Sequence, residues 1–328
     1  MAKIVLGLAS SHSPQLATRP ENWHAMGERA KTVPEHWFAG KTYSYDELLE
    51  TRSGEHIEKE LSDATFQARF NDCQREIARL AQTLNRVAPD VCILFGDDQH
   101  EAFNDDIMPS FAIYHGATVD DVDSEGPRGT TDSGILNAPR QRTAHPTDAK
   151  LGEYLVEALI ERDFDVSRTN QLSPTKHNGA IGHAFYFLYR RLMNNEVIPN
   201  VPIMVNTYYP PNAPRASRSY RFGQAVREAV EAWDSNKRVA IMASGGLSHT
   251  VIEEDIDRRI VDGLKNDDFT KLTDWPDVRF RGGTSEIKNW IALAGAMSGT
   301  GLQPKIEYVP CYRSPAGNGC AMGFGEWV

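Results

Sequence analysis

The sequence predicts an α/β fold in which a central mixed sheet is flanked by helices, with a helical, lid-like insertion after the first strand. Three observations predict it: apolar runs of strand length, amphipathic runs of helical period between them, and polar clusters where the apolar runs end. The chain has 328 residues and is 40% hydrophobic, enough to bury a sizeable core. We therefore expect one domain over residues 1–328, with the insertion at about 17–55.

Strands are predicted where apolar runs stop abruptly at turn-forming or ionisable residues. Residues 3–8 form the first strand and open into Ser10-Ser11-His12-Ser13-Pro14, which places His12 at its carboxyl end. The run at 91–95 ends in Gly96-Asp97-Asp98-Gln99-His100, and the run at 239–243 ends in Ser244-Gly245-Gly246-Leu247-Ser248-His249. Residues 164–169 and 201–208 are also predicted to be extended.

Helices are predicted from apolar residues spaced three and four apart. The longest amphipathic run ends before Pro89 and carries its apolar residues at Phe66, Phe70, Cys73, Ile77, Leu80 and Leu84. Further helices are predicted at 151–161, 183–193, 222–233 and 287–297. The aromatic face of residues 183–193 predicts that His183 belongs to the core. Residues 19–51 have no clean period and predict short helices that form a cap, and residues 120–146 predict a long loop.

The composition excludes several classes of protein. A formal net charge of −10 argues against a nucleic-acid-binding or anionic-membrane-binding surface. The sequence has no apolar run of about 20 residues that could span a membrane, and its first residues do not form a signal peptide. The four cysteines have no CxxC spacing, which argues against a disulfide framework or a structural zinc site. We expect a cytoplasmic protein with reduced thiols.

Ionisable residues next to strand ends are the candidates for chemistry, because ligands of such sheets gather beyond the carboxyl ends of the strands. Four histidines lie in turn-rich segments beside strands, namely His12, His100, His177 and His249, whereas His24, His36, His56 and His145 have polar, surface-like surroundings. Glu286 follows two glycines at the start of a helix. Two imidazoles and this carboxylate would form a face that leaves positions open on Fe(II). The alternative is that the histidines are structural and Glu286 stabilises a helix start capped by Thr284 or Ser285.

A set of short motifs occurs along the chain in the order found in class III extradiol ring-cleavage dioxygenases. The motifs are Ser10-Ser11-His12-Ser13-Pro14, Asp98-Gln99-His100, Lys176-His177-Asn178-Gly179, Asn206-Thr207-Tyr208-Tyr209-Pro210-Pro211, Gly245-Gly246-Leu247-Ser248-His249, Ser285-Glu286 and Pro315-Ala316-Gly317-Asn318-Gly319. The chain resembles the members of that family that act on protocatechuate, gallate and 3-O-methylgallate. The resemblance covers nearly everything except the insertion between His12 and the helix that begins near His56.

The resemblance implies a role for each matching position. It makes His12 and Glu286 metal ligands, with His100 as the second histidine ligand. An alignment to the family without a gap places Gln99, instead of His100, at the position of the second histidine ligand. His56 is a third candidate for that ligand. The remaining matches are the acid–base residue His249, the pocket residue His177 and the substrate-binding residues Asn206, Tyr208, Gly317 and Asn318.

The resemblance also implies a reaction and its partners. It implies an Fe(II) enzyme that uses dioxygen to open the ring of a catechol-type aromatic acid beside its two hydroxyls. The family has a serine where this chain has Gly317, so the partner of a ring carboxylate is sought among Arg215, Arg218 and Arg221. We expect a homodimer or larger assembly, with either the insertion or a second chain covering the site, and no nucleic-acid or membrane partner.

Two other functions remain open at this stage. Gln99 at a ligand position favours a metal-free binding protein of the same fold. Histidine and carboxylate ligands would also suit zinc, as in a hydrolase. Metal analysis and oxygen uptake separate both from a dioxygenase.

Overall fold

The computed structural model describes residues 1–121, 142–174 and 179–328. In chain order, the strands among these residues are β1 (Lys3–Ser10), β2 (His36–Phe38), β3 (Lys41–Tyr43), β4 (Val91–Asp97), β5 (Phe111–Tyr114), β6 (Thr118–Asp121), β7 (Thr143–Pro146), β8 (Ser167–Thr169), β9 (Asn200–Val205), β10 (Arg238–Ser244), β11 (His249–Val251), β12 (Pro304–Tyr312) and β13 (Asn318–Trp327). The α-helices are α1 (Trp23–Ala30), α2 (Tyr45–Thr51), α3 (Asp63–Val87), α4 (Ala149–Ile160), α5 (His183–Arg191), α6 (Ala216–Ala232), α7 (Glu254–Asn266), α8 (Phe269–Thr273) and α9 (Ile287–Met297).

The main sheet is mixed, which confirms the predicted fold class. Its strands run in the order β12, β13, β1, β10, β4, β9, β5 and β8, and β11 pairs with the same edge of β13 as β1 does. The central strands β1, β10, β4 and β9 are parallel neighbours, whereas β13 is antiparallel to β1, β11 and β12. The carboxyl ends of the four parallel strands therefore meet at one edge of the sheet.

Both faces of the sheet are covered by helices, because successive side chains of a strand point to opposite faces. In β4, Ile93 and Phe95 pack in the layer of α4, α6, α7 and α9, whereas Cys92 and Leu94 pack in the layer of α3 and α5. All four side chains are fully buried. Each large apolar side chain buried in this way stabilises the fold by about 1.5–3 kcal/mol.

Most predicted strands and helices are found within about three residues of their expected bounds. The helix predicted at 222–233 begins earlier, at Ala216, and there are two further local differences. The ends of the predicted loop at 120–146 form an antiparallel pair, β6 with β7, and residues 122–141 lie outside the described part. Glu286 ends a short 3-10 helix, Gly282–Glu286, that runs into α9, and neither Thr284 nor Ser285 caps that helix. The predicted cap by Thr284 or Ser285 is therefore wrong.

The insertion contains the short helices α1 and α2 as predicted, and also a β2–β3 hairpin that was not predicted. Its turn uses Ala39 and Gly40, whose φ angles are 51° and 82°. The insertion docks on the turn before β13, where a Cβ on Gly317 would lie 1.7 Å from a nitrogen of Arg52. His36 Nδ1 faces Asn318 Nδ2 at 3.1 Å. His36 and also His145 are buried, so their predicted surface positions are wrong.

Candidate active site

A cavity of about 510 Å³ opens at the edge where the parallel strands end. Its walls come from the loops after β1, β4, β9 and β10, from the start of α5 and from the segment before α9. The lining residues are His12, Ser13, Pro14, Gln99, Glu101, His183, Tyr208, Gly246, His249, Thr250, Glu286 and Cys320. None of the described residues that line the cavity comes from the insertion at 17–55, so a capping role stays a prediction.

Two imidazoles and a carboxylate converge in this cavity. His12 follows β1, and its Nδ1 lies 3.0 Å from Ser244 Oγ at the end of the neighbouring strand β10. Its Nε2 lies 3.1 Å from His183 Nε2 and 3.2 Å from Glu286 Oε2. If Nδ1–H of His12 donates to Ser244, the lone pair of Nε2 is left facing His183 and Glu286.

His183 is the first residue of α5 and is held by one carboxylate. Its backbone N–H donates to Glu101 Oε1, and its ring Nδ1 lies at the same 2.9 Å from that oxygen. Burial alone would lower the pKa of the His183 imidazole, but Glu101, together with the charges of Asp97 and Glu286, outweighs burial and raises that pKa to about 10. A carboxylate on the far nitrogen is the arrangement that orients metal-binding histidines in proteins. Glu101 therefore directs Nε2 of His183 towards His12.

Two buried carboxylates compete for the role of anionic ligand, Asp97 and Glu286. One ligand atom from each of His12, Asp97 and His183 lies within 4.8 Å of the other two. Burial, and then the charge of Glu286, raise the pKa of Asp97. Burial alone would also raise the pKa of Glu286, but His249 and His12 hold it well below its usual value. Glu286 is thus the stronger anion of the two.

Glu286 accepts hydrogen bonds on both of its oxygens. The backbone N–H of Gly246 donates to Oε2 at 2.7 Å, and the Tyr208 hydroxyl donates to Oε1 at 2.8 Å. The Gln99 amide donates to the same Oε1 at 3.1 Å and to Asp97 at 3.0 Å. These contacts connect the loops after β4, β9 and β10 to one carboxylate.

His249 begins β11 and faces the other side of Glu286. Its Nδ1 lies 2.8 Å from the Leu247 carbonyl oxygen, which only an N–H can satisfy, so Nε2 is the free nitrogen of the neutral ring. That Nε2 lies 3.2 Å from Glu286 Oε1. Burial opposes protonation, yet Glu286 raises the pKa of His249. A Cβ at Gly246 would lie 2.4 Å from the His249 ring, so glycine is required there.

The structure does not bring His100 to these residues. Its ring stacks on Tyr209 with centroids 3.8 Å apart, and its Nε2 lies 3.3 Å from Asp105. Gln99, which the gapless alignment places at the second histidine position, lies beside Glu286 instead. The third candidate, His56, is exposed and pairs with Glu58.

The other predicted residues have varied positions. Tyr208 lines the cavity. Asn206 holds its own loop, donating to the Tyr209 carbonyl and accepting from the Tyr209 N–H. Gly317 and Asn318 contact the insertion. Arg215 pairs with Asp277, Arg218 donates to the Asp163 carbonyl, and Arg221 is exposed. His177 lies outside the described residues.

His183 is the residue that sequence reasoning missed, because the aromatic pattern of its helix predicted a core position. His183 does begin the predicted helix. Because it is the first residue of that helix, its side chain lies beyond the helix end and lines the cavity, not the core. The available signal was Gly182: a Cβ there would lie 2.3 Å from Glu101, the carboxylate that holds His183. A histidine after such a glycine, in a chain with Gln99 at a ligand position, was a candidate ligand.

No helix in the described part of the chain is both long and apolar enough to cross a membrane. Among characterised proteins, the chain is 31% identical over 180 residues to a 2,3-dihydroxyphenylpropionate/2,3-dihydroxicinnamic acid 1,2-dioxygenase 2 of Dechloromonas aromatica, covering 55% of this chain and 49% of the relative. It is 28% identical over 164 residues to a gallate dioxygenase of Pseudomonas putida, covering 46% of each chain. The chain thus spans about half the length of these relatives.

The family described as the catalytic LigB subunit of aromatic ring-opening dioxygenase matches residues 56–322. This match covers more than half of the chain and includes every cavity residue except those of the first loop, His12, Ser13 and Pro14. The chain belongs to this family of aromatic ring-opening dioxygenase catalytic subunits.

Proposed function

We propose that the protein is an Fe(II)-dependent extradiol dioxygenase that opens the ring of a catechol-type aromatic acid beside its two hydroxyls. The observation that carries this proposal is the convergence of His12, His183 and Glu286, with His249 on the opposite side of the same carboxylate. A two-histidine, one-carboxylate set with open positions suits non-haem Fe(II). The donor set therefore fits the metal that the family resemblance implies.

The proposed ligands are His12, His183 and Glu286. His183 takes the place proposed from the sequence for His100, because the His100 ring is stacked on Tyr209 and paired with Asp105. Glu286 is preferred to Asp97 because the environment favours the ionised form of Glu286 and the protonated form of Asp97. Asp97 then orients Gln99 and Asn289, whose amides both donate to it.

Bound Fe(II) would supply a redox-active Lewis acid with positions for a diol and for dioxygen. His249 would act as the acid–base residue: Nε2 accepts a proton from a substrate hydroxyl and later returns it. Leu247 fixes the ring so that Nε2 faces the cavity, and Glu286 stabilises the protonated ring. A proton held in this way stays beside the reacting ring instead of passing to bulk water.

Tyr208 and Gln99 would position the substrate through Glu286. Both donate to Glu286 Oε1, so they fix the carboxylate and form part of the wall against which an aromatic ring lies. Aromatic acids of the gallate, 3-O-methylgallate or protocatechuate type are the proposed substrates. Support comes from the names of the relatives, which specify gallate and 2,3-dihydroxyphenylpropionate.

The direct test is oxygen uptake by protein reconstituted anaerobically with Fe(II). The substrates are gallate, 3-O-methylgallate, protocatechuate, 2,3-dihydroxyphenylpropionate and unsubstituted catechol, with absorption spectra to detect a ring-opened product. We expect uptake with at least one acid, and its loss in His249→Gln protein that still binds iron. Bound iron without uptake from any substrate would contradict the proposal. Tight zinc without uptake would favour a hydrolase, and no bound metal would favour a binding protein.

A further inference from the structure

Asp257 is a fully buried carboxylate in α7 that the proposed reaction does not use. Its side-chain hydrogen bonds go to Ser248, in the turn that carries His249, and to Tyr308 of β12. Its Oδ1 accepts from the Ser248 backbone N–H at 2.8 Å, and its Oδ2 accepts from the Ser248 hydroxyl at 2.5 Å. The Tyr308 hydroxyl of β12 also donates to Oδ2, at 3.0 Å.

Ser248 is held at every polar atom. Its hydroxyl oxygen accepts from the Glu253 N–H at 2.7 Å, and its carbonyl accepts from the Ala321 N–H of β13 at 2.9 Å. Ser248 is also fully buried, where hydrogen bonds between charged and polar groups are stronger than in water. The residue directly before His249 therefore has its backbone and side chain fixed by the same carboxylate.

The turn Gly245–His249 contacts the proposed metal ligand at two points. The Gly246 N–H donates to one oxygen of Glu286, and His249 Nε2 faces the other oxygen. Within the turn, the Leu247 carbonyl fixes the His249 ring. A rotation of the Ser248 peptide would move Leu247 and His249 together, because the two residues flank Ser248.

We propose that Asp257 is a positioning residue that acts through Ser248 to hold the His249 imidazole in its cavity-facing orientation. The inference rests on the proposed function, since His249 is given its acid–base role there. Asp257 touches no cavity residue that we propose as a metal ligand, so its removal should leave the metal site intact. Its effect should appear in the proton-transfer step and in the state of the His249 ring.

The test uses the full-length, iron-loaded protein and the variants Asp257→Asn and Ser248→Ala. The control is Asp262→Asn on the same helix, whose carboxylate lies near Lys271 on the surface. We call Asp257→Asn and Ser248→Ala the clamp variants, because Asp257 and Ser248 together hold the turn before His249. We expect both to keep wild-type iron content and to lower kcat about 10- to 100-fold with little change in KM, as for residues that orient a reacting group. The control should stay within about twofold of wild type.

Two further measurements separate positioning from a general structural effect. The comparison is made on the small residual rate of His249→Gln protein. Adding Asp257→Asn should not lower that residual rate further, because the effect of Asp257 passes through His249. An equal loss in that background, or a wild-type rate in Asp257→Asn, would overturn the proposal. If Asp257→Asn does not fold, Ser248→Ala decides by the same two criteria.

The last measurement does not need activity, so it separates this proposal from the proposed function. In metal-free protein labelled with ¹⁵N-histidine, the His249 ring nitrogens report which nitrogen carries the proton. The spectra are recorded at a pH high enough for the His249 ring to be neutral, since the protonated ring carries a proton on both nitrogens. We expect a single Nδ1–H tautomer in wild type and in Asp262→Asn, and a mixture in Asp257→Asn and Ser248→Ala. Unchanged ring signals in both clamp variants would overturn the positioning role, even if the wild-type enzyme consumes oxygen. Changed signals in a protein that consumes no oxygen would support the clamp and contradict the dioxygenase.

Discussion

The two sides of the cavity are held in place by different kinds of contact. On the side of β1, β10 and β11, His12 and His249 are fixed by Ser244 at a strand end and by a backbone carbonyl. On the side of β4 and α5, His183 and Gln99 are fixed by the side chains of Glu101 and Asp97. The partner of His249 is a backbone carbonyl, which no substitution removes, and the partner of His12 is a neutral hydroxyl at the end of β10. Both partners on the second side are carboxylates, whose charge is lost in one substitution. The second side should therefore be the more easily altered. We call the first side, with β1, β10 and β11, the strand-borne side.

The largest expected difference is between two histidines of the more easily altered side. His183→Ala should lose most of its iron and lower the ring-opening rate at least ~100-fold, because it removes a proposed ligand. His100→Ala should keep its iron and most of its activity, since that ring contacts Tyr209 and Asp105. Iron analysis and oxygen uptake check both. Iron lost from His100→Ala but kept by His183→Ala would return His100 to the metal site.

The next effect concerns the residue that orients His183. Glu101→Gln should weaken Fe(II) binding about 10- to 100-fold, as loss of a carboxylate behind a metal-bound histidine does. Asp105→Asn is the matched control, because Asp105 faces His100 in the same loop region. Titration of metal-free protein with Fe(II) under anaerobic conditions measures both affinities. Equal affinities in Glu101→Gln and wild type would show that His183 does not need this partner.

The charge of His183 also predicts how metal binding depends on pH. Glu101 and the neighbouring carboxylates raise the pKa of His183 to about 10 in the metal-free protein, so a metal must displace a proton from that ring. Apparent Fe(II) affinity should therefore increase as pH rises and level off only near pH 10, where the metal-free ring loses its proton. Calorimetry in buffers of different ionisation enthalpy should show proton release on binding. A pH-independent affinity without proton release would contradict His183 as a ligand.

The smallest expected effect lies on the strand-borne side. Burial raises the pKa of Asp257 to about 7, whereas an unfolded aspartate titrates near 3.9. A raised carboxyl pKa contributes stability that is complete below about pH 4 and is lost as pH rises towards 7. Urea unfolding between pH 4 and 7 should show a flatter pH dependence for Asp257→Asn, which cannot ionise, than for wild type. Asp262→Asn should keep the wild-type dependence of the unfolding free energy on pH. An equal dependence in all three proteins would show that the pKa of Asp257 is not raised.

The strand-borne side was also the more predictable from sequence. β1 and β10 are largely apolar runs that stop at polar clusters, so their bounds and the residues beyond them, His12 and Gly245–His249, follow from local pattern. Family resemblance then named roles for His12, His249 and Glu286. The structure brings those three together, and their roles stay predictions.

The other side depends on contacts between segments far apart in the chain, which no local pattern reveals. His183 meets His12 across 171 residues, and Glu101 meets His183 across 82. The β2–β3 hairpin was missed for a different reason: its strands are three residues long, too short for an alternating pattern to appear. Ala39-Gly40, both at positive φ, was the available turn signal.

The position of β13 has a consequence for how the chain folds during synthesis. This strand is the last of those described, yet it pairs with β1, β11 and β12, and so lies inside the sheet between the first strand and β12. In the antiparallel pairing of β11 with β13, Cys320 is the residue opposite His249. A nascent chain that has not yet released residues 318–327 from the ribosome has unpaired edges on β1 and β11, and it lacks one wall of the cavity. We expect the site to form only after these residues emerge, and unfinished chains to depend on chaperones to protect those edges.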